Sequence, residues 1–295
     1  MSRLAQQVVN RILARIALGK DALVVAKYQR QGYPAVIALV VKPGSPPMVR
    51  AMPSASIDYD VLTLRSGSAR ATLATKNVAI VGTGALGSFT ADLLARSGIA
   101  GLRLVDGDIL RPGNVVRHLA RLQHVGLPKV EAVKACIEEL GLLAPDAVIT
   151  HELFLVTPDD AVPRLAGSDI VIDATASGPA LALLCAALSN PDDPPLLSVG
   201  LYRDGGIARV DRFPLAGSEE HFSAIPAGIP SGTTLLEAGC GDPVSPTPAH
   251  SVVAASALVV RAATRLLAGQ PIPPTYIEVF EPQPDSPFDV EGLLQ

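Results

Sequence analysis

Hydrophobic and polar positions alternate with changing period along this chain. Near the N-terminus, Leu4, Val8, Ile12 and Ile16 recur at helical spacing and mark one apolar face. Residues 22–27 and 35–42 flank Gly32-Tyr33-Pro34 and predict a hairpin. The run Pro43-Gly44-Ser45-Pro46-Pro47 ends that pattern. Residues 54–75 are polar and small, without a clear period, and read as a connector. From Lys76 onward, strands and helices take turns. Strands are predicted at 77–81, 101–105, 147–152, 169–173, 196–199, 206–213 and 276–280. Helices are predicted at 86–97, 128–140, 179–188 and 251–267. In the second of these, Pro128 opens the helix, Gly141 follows it, and Val130, Val133, Ile137 and Leu140 form its buried stripe. Such alternation predicts an α/β fold with a doubly wound, mostly parallel sheet. A small α+β appendage of residues 1–75 precedes the main domain, residues 76–295.

Composition narrows the classes. Apolar residues make up 48% of the chain but aromatics only 4%, so the core is aliphatic, as suits parallel strands buried between Ala-rich helices. The net charge of −4 provides no general basic surface for nucleic acid. Cys136, Cys185 and Cys240 lie far apart with no C-x-x-C pair, which argues against a disulfide framework and a cysteine zinc site. A reducing, cytoplasmic setting is expected. No apolar run approaches the roughly 18 residues that span a bilayer, and residues 251–267 carry Arg261 and Arg265, so no membrane segment is expected. The first twenty residues are basic and without acids, a composition shared by transit peptides; an amphipathic helix is the favoured reading.

The candidate chemistry begins at Gly82-Thr83-Gly84-Ala85-Leu86-Gly87, a G-x-G-x-x-G between a predicted strand and a predicted helix. Its glycines allow a tight turn and close approach of a phosphate to the helix N-terminus. Asp106, at the end of the next strand, is placed to bind ribose hydroxyls. This set fits NAD, FAD and ATP alike. Asp106-Gly107-Asp108 brings two carboxylates to one side of an extended strand end, which favours a shared cation such as nucleotide-bound Mg²⁺. Asn114 and Arg117 lie on a polar segment bounded by glycine and proline. Lys129 sits in the first turn of a helix, where a cation opposes the dipole unless it reaches an anion.

Together these residues resemble the superfamily of ubiquitin-like-protein activating enzymes, the ThiF/MoeB/HesA-type adenylyltransferases, over about residues 76–269. The motifs occur in the family's order: Gly82-x-Gly84-x-x-Gly87, Asp106-x-Asp108, Asn114-x-x-Arg117, Val125-Gly126-x-x-Lys129, Asp173-Ala-Thr175 and Gly200 through Gly205. The resemblance implies that the glycine loop packs on ATP, that Asp106 holds the ribose, and that Asn114, Arg117 and Lys129 bind the phosphates. It implies attack by a C-terminal glycine carboxylate on the α-phosphate, giving an acyl-adenylate, with a ubiquitin-like or sulfur-carrier protein as partner. A carboxylate is already ionised, so positioning and charge neutralisation carry the reaction without a general base. A homodimer is also implied, with a crossover loop at about 214–250.

The sequence departs from the family pattern in places. Ala176 stands where a metal-binding Asp is usual, leaving Asp106, Asp108 or Asp173 for Mg²⁺. Arg117-His118 replaces Arg-Gln and is similar to bacterial members fused to conjugating-enzyme-like domains, which points to such a protein as a further partner. Cys240, on a loop rich in glycine and proline, is expected to be accessible and resembles the crossover-loop cysteine that takes the acyl group as a thioester. Two other readings remain open: an NAD(P)-dependent oxidoreductase on the same loop, and a catalytically degenerate scaffold. His118, His124, His221 and His250 are dispersed and read as structural or surface groups.

Overall fold

A computed structural model describes residues 3–213, Ile225 and residues 246–294. The chain divides after Arg65 into two compact units. The first holds helix α1 (Arg3–Ala17), the meander β1 (Ala22–Arg30), β2 (Tyr33–Lys42) and β3 (Met48–Met52), and the short helix α2 (Tyr59–Leu62). The predicted hairpin is present, with Ala22 opposite Val41 and Arg30 opposite Tyr33. The proline-rich run ends β2, but the chain returns as β3, which pairs antiparallel from Lys42–Met48 to Ala38–Met52.

The second unit opens with α3 (Arg70–Leu73), whose Leu73 is only 2% exposed and joins the main core. Residues 70–73 are therefore a packed turn of helix within the stretch expected to be a connector. Then follow β4 (Asn77–Val81), α4 (Ala85–Ser97), β5 (Gly101–Val105), α5 (Lys129–Glu138), β6 (Val148–His151), α6 (Pro158–Leu165), β7 (Ile170–Asp173), α7 (Gly178–Ala187), β8 (Leu196–Tyr202), β9 (Ile207–Phe213), α8 (Ala249–Leu267), β10 (Thr275–Val279) and β11 (Gly292–Leu294).

These strands form one eight-stranded sheet in the order β11-β10-β9-β8-β7-β4-β5-β6. From β6 to β8 the neighbours are parallel; β8, β9, β10 and β11 pair antiparallel. The alternation of side chains along the strands sorts the core into two layers. Val78, Ile80, Leu102, Leu104, Ile170 and Ile172 face α4, α5 and α8. Ala79, Val81, Val171 and Leu196 face α6 and α7. Burial on both faces explains why β4 and β7 read as unbroken apolar runs. The crossover from β4 to β5 thus lies on one face and that from β7 to β8 on the other. The carboxyl ends of β4 and β7 are the switch point, where open α/β sheets leave a crevice for ligands.

Helix α8 is long and apolar enough, by length and composition alone, to cross a membrane. Here Val252, Ala255, Val259 and Ala263 are buried in the core, and Ser256 donates a hydrogen bond to the Leu86 carbonyl of α4 at 3.0 Å. The guanidinium of Arg261 lies over the Tyr276 ring.

Candidate active site

The glycine loop leaves β4 at the switch point. Gly82 has φ +85°, and its N–H donates to the Val105 carbonyl at 2.8 Å. A β-carbon there would lie 2.9 Å from the Thr175 nitrogen, so only glycine fits without displacing β7's end. At Gly87 the constraint is stricter: a β-carbon would fall 1.8 Å from the Gly82 oxygen. The first turn of α4 is therefore pressed onto the loop that precedes it. At Gly84 the same test meets nothing within 4 Å, so the space above the loop is open to a ligand. The first amides of α4 have no partner within the helix and present their dipoles to that space.

Two adjoining cavities converge there. The larger, about 720 Å³, is bounded by Gly82, Gly84, Asp106, Asp108 and Lys129 on one side. Its other wall is the apolar segment 153–156 with Pro179, Ala180 and Leu183. The smaller, about 300 Å³, is bounded by Gly84, Ala85, Asn114, Arg117, His118, Lys129 and Ala176. Gly84, Lys129, Ala174 and Thr175 line both. The fold thus gathers Gly82, Gly84, Ala85, Asp106, Asp108, Asn114, Arg117 and Lys129, which lie across nearly fifty residues of sequence. The larger cavity has the apolar wall and edge carboxylate that a nucleoside requires. The smaller has the helix start and cationic groups that phosphates require.

The carboxylate of Asp106 accepts the Thr83 N–H at 2.7 Å through Oδ2 and the Asp108 N–H at 2.8 Å through Oδ1. Oδ2 also accepts the Thr83 hydroxyl at 3.2 Å, so Oδ1 is the oxygen that retains acceptor capacity for a ligand hydroxyl. Asn114 turns its side-chain oxygen to the Arg111 N–H at 3.0 Å, which fixes the short 3₁₀ turn carrying Arg117. Lys129 is placed by backbone pairing: its N–H donates to the Asp108 carbonyl at 2.8 Å, and Ile109 bridges Pro128. Its Nζ then lies 2.7 Å from Asp108 Oδ2. Lys129 thus supplies a cation of the chain itself to one of the two carboxylates, Asp108.

His118 is 5% exposed. The Ala120 N–H donates to its Nδ1 at 3.0 Å, so the ring proton sits on Nε2 and is donated to the Thr83 carbonyl at 2.9 Å. Burial pushes its pKa down to about 4, outweighing that hydrogen bond. The neutral ring ties the phosphate-side segment to the glycine loop, as a structural histidine.

Asp173 is placed differently. It is 1% exposed and lines neither cavity. Oδ1 accepts the Thr175 N–H at 3.0 Å and the Thr175 hydroxyl at 2.6 Å, while Oδ2 accepts the Ser198 hydroxyl at 2.9 Å. This expected nucleotide and metal ligand is a brace between β7 and β8. Among the described residues, no three His, Cys, Asp or Glu side chains cluster as metal ligands. Of the carboxylates expected to hold Mg²⁺, Asp173 is engaged by Thr175 and Ser198, and Asp108 is paired with Lys129. Sequence reasoning named Thr175 only as part of a motif and passed over Ser177 and the apolar wall at 153–156. Cys136 and Cys185 are half-buried, and burial raises both thiol pKa values, so neither is activated as a nucleophile. Cys240 and His221 lie outside the described residues.

Comparison with known proteins decides the family, since the ThiF family matches residues 61–266. The chain belongs to the ThiF family. It is similar to the ATP-dependent ubiquitin transferase-like protein Cap2 of Enterobacter hormaechei subsp. hoffmannii, 28% identical over 76% of this chain and 38% of that protein. It is also similar to the tRNA threonylcarbamoyladenosine dehydratase of Bacillus subtilis, 41% identical over 35% of this chain and 41% of that protein. Among solved structures, it resembles E. coli MccB with ATP at a TM-score of 0.54 and 18% identity, covering 78% of this chain and 70% of that one. The SeMet PaaA structure gives a TM-score of 0.55 and 19% identity, covering 76% of each chain. These two likenesses concern the fold. The matched stretches cover 38% and 41% of the two curated relatives named here, under half of each.

Proposed function

We propose that this chain adenylates the C-terminal glycine carboxylate of a ubiquitin-like or sulfur-carrier protein with ATP. The observation that carries the reading is the meeting of Gly84, Asp106, Asn114, Arg117 and Lys129 around two adjoining cavities at the switch point. The nucleoside occupies the larger cavity with its ribose on Asp106, and the phosphates lie over Gly84 toward Arg117 and Lys129. The carrier carboxylate attacks the α-phosphorus; a carboxyl O–P bond forms, and the bond to pyrophosphate breaks. Lys129 and Arg117 offset the charge that develops on the phosphoryl oxygens. Mg²⁺ would come as part of the nucleotide substrate and would supply further charge neutralisation at its phosphates.

In a second step, the Cys240 thiolate attacks the acyl carbon and expels AMP, leaving a thioester for a conjugating-enzyme-like acceptor. The enzyme works as a homodimer in the cytoplasm. ATP–pyrophosphate exchange in the presence of a carrier ending in Gly-Gly tests the first step. Exchange that depends on the carrier is expected; ATP binding with no exchange for any such carrier contradicts it and leaves a silent scaffold. A thiol-labile adduct that persists in Cys240→Ala removes the second step. An oxidoreductase would be stabilised thermally by NAD(P) rather than by ATP.

A further inference from the structure

We propose that this site binds ATP without a protein carboxylate on the nucleotide's divalent cation, Lys129 supplying the fixed positive charge instead. The inference rests on the nucleotide reading of the two cavities. Four positions face the question: Asp106, Asp108, Asp173 and Ala176. Asp173 is buried, has both oxygens engaged by Thr175 and Ser198, and lines neither cavity. Asp106 accepts two backbone amides and the Thr83 hydroxyl, and it lines the larger cavity.

Among the described residues, Asp108 is the one remaining carboxylate lining the larger cavity, and it is paired with Lys129 Nζ at 2.7 Å. That pairing is built into the backbone. The Lys129 N–H donates to the Asp108 carbonyl, and the Ile109–Pro128 bridge holds the two segments side by side. The lysine side chain is 13% exposed, so the ion pair is shielded on its cationic side. A divalent cation on Asp108, whose side chain is 49% exposed, would sit against this ammonium, and like charges a few ångströms apart repel. Mg²⁺ ordinarily takes one or two carboxylates along with phosphate oxygens. Here a seat of that kind would first require the lysine to leave.

Ala176 sharpens the point. It lines the smaller cavity with Asn114, Arg117 and Lys129, yet offers only a methyl group. Its φ is +53°, a left-handed conformation that Asp and Asn tolerate better than Ala. The backbone there has the form that suits an acid, while the acid is missing.

The test is calorimetric binding of α,β-methylene-ATP in excess Mg²⁺ and in EDTA at constant ionic strength. It uses the full chain, Ala176→Asp and Lys129→Ala, each checked for folding by thermal melting. The full chain is expected to bind with affinities within about threefold in the two buffers. Ala176→Asp adds a carboxylate and should bind at least about tenfold more tightly with Mg²⁺ than with EDTA. Lys129→Ala loses the cation and frees Asp108, and should bind measurably only with Mg²⁺. A loss of about tenfold or more in EDTA by the full chain overturns the proposal but leaves the nucleotide site standing. Indifference of Ala176→Asp to Mg²⁺ also overturns it, since position 176 would then not face the phosphates. No binding by the full chain in either buffer overturns the nucleotide reading itself, and the proposal with it.

Discussion

Asp106 and Asp173 occupy equivalent places in the fold. Each stands at the carboxyl end of a parallel strand next to β4, one beyond β5 and one closing β7, so the glycine loop leaves the sheet between them. Their surroundings give them different work. Asp106 holds two backbone amides and faces the larger cavity. Asp173 is sealed beneath Thr175 and Ser198. Residue type and strand position alone do not make an acid a ligand. Exposure and the neighbours that claim its oxygens decide. Here the hydroxyls of Thr175 and Ser198 claim one carboxylate for the framework, and Lys129 claims another, Asp108, for charge balance.

The largest effect that would break the comparison is in stability. Asp173→Ala leaves the Thr175 amide and two hydroxyls without their acceptor, and should cost about 3 kcal/mol in denaturant unfolding. Nucleotide affinity of the folded fraction should change little. If affinity collapses while stability holds, Asp173 is a ligand after all.

A similar magnitude is expected from pH. His118 has its folded pKa lowered to about 4 from an ordinary value near 6.5. Between those values the unfolded chain takes up a proton and the folded chain does not. The stability is full above the unfolded value, falls with pH between the two, and levels off below the folded value, by about 3 kcal/mol in all. His118→Gln should flatten that part of the pH profile. An unchanged profile would show that the ring is not the group responsible.

Asp106→Ala should mainly lower affinity, by at least about tenfold for ATP, with about 1 kcal/mol of stability lost from the two amides. The smallest effect belongs to the opposite end of the same strands. There, Asp169 accepts from Lys76 Nζ and the Asn77 N–H, each at 2.8 Å. Lys76→Ala at this partly exposed pair should cost under about 1 kcal/mol and leave ATP affinity unaltered.

Much of this was legible in the sequence, for identifiable reasons. Strands β4 and β7 are short, mostly aliphatic runs buried on both faces, β5 is interrupted only by Arg103, and their ends punctuate clearly. The glycine loop announces itself because Gly87 must touch Gly82. Helix α6 was missed although Thr157 and Asp160 form a capping box with Pro158 at the first turn; the signal lay in the caps, since the eight-residue helix was too short for a clear period. Strand β3 was missed because its five residues are all exposed and follow a proline run. Ser198, which holds one oxygen of Asp173, and Lys129, which pairs with Asp108, lie 25 and 21 residues away, respectively, and reach these acids only through the sheet and the 108–129 pairing. No local pattern encodes such contacts. Positions 153–156 form a cavity wall only because β6 ends beside β5, which spacing along the chain does not reveal.

The most direct test of the central claim is a crystal structure of the chain with α,β-methylene-ATP. The account predicts the adenine against residues 153–156, the ribose hydroxyls on Asp106, and the phosphates over Gly84 between Arg117 and Lys129. A nucleotide bound away from the Gly84 loop, or with its phosphates remote from Lys129, would contradict it.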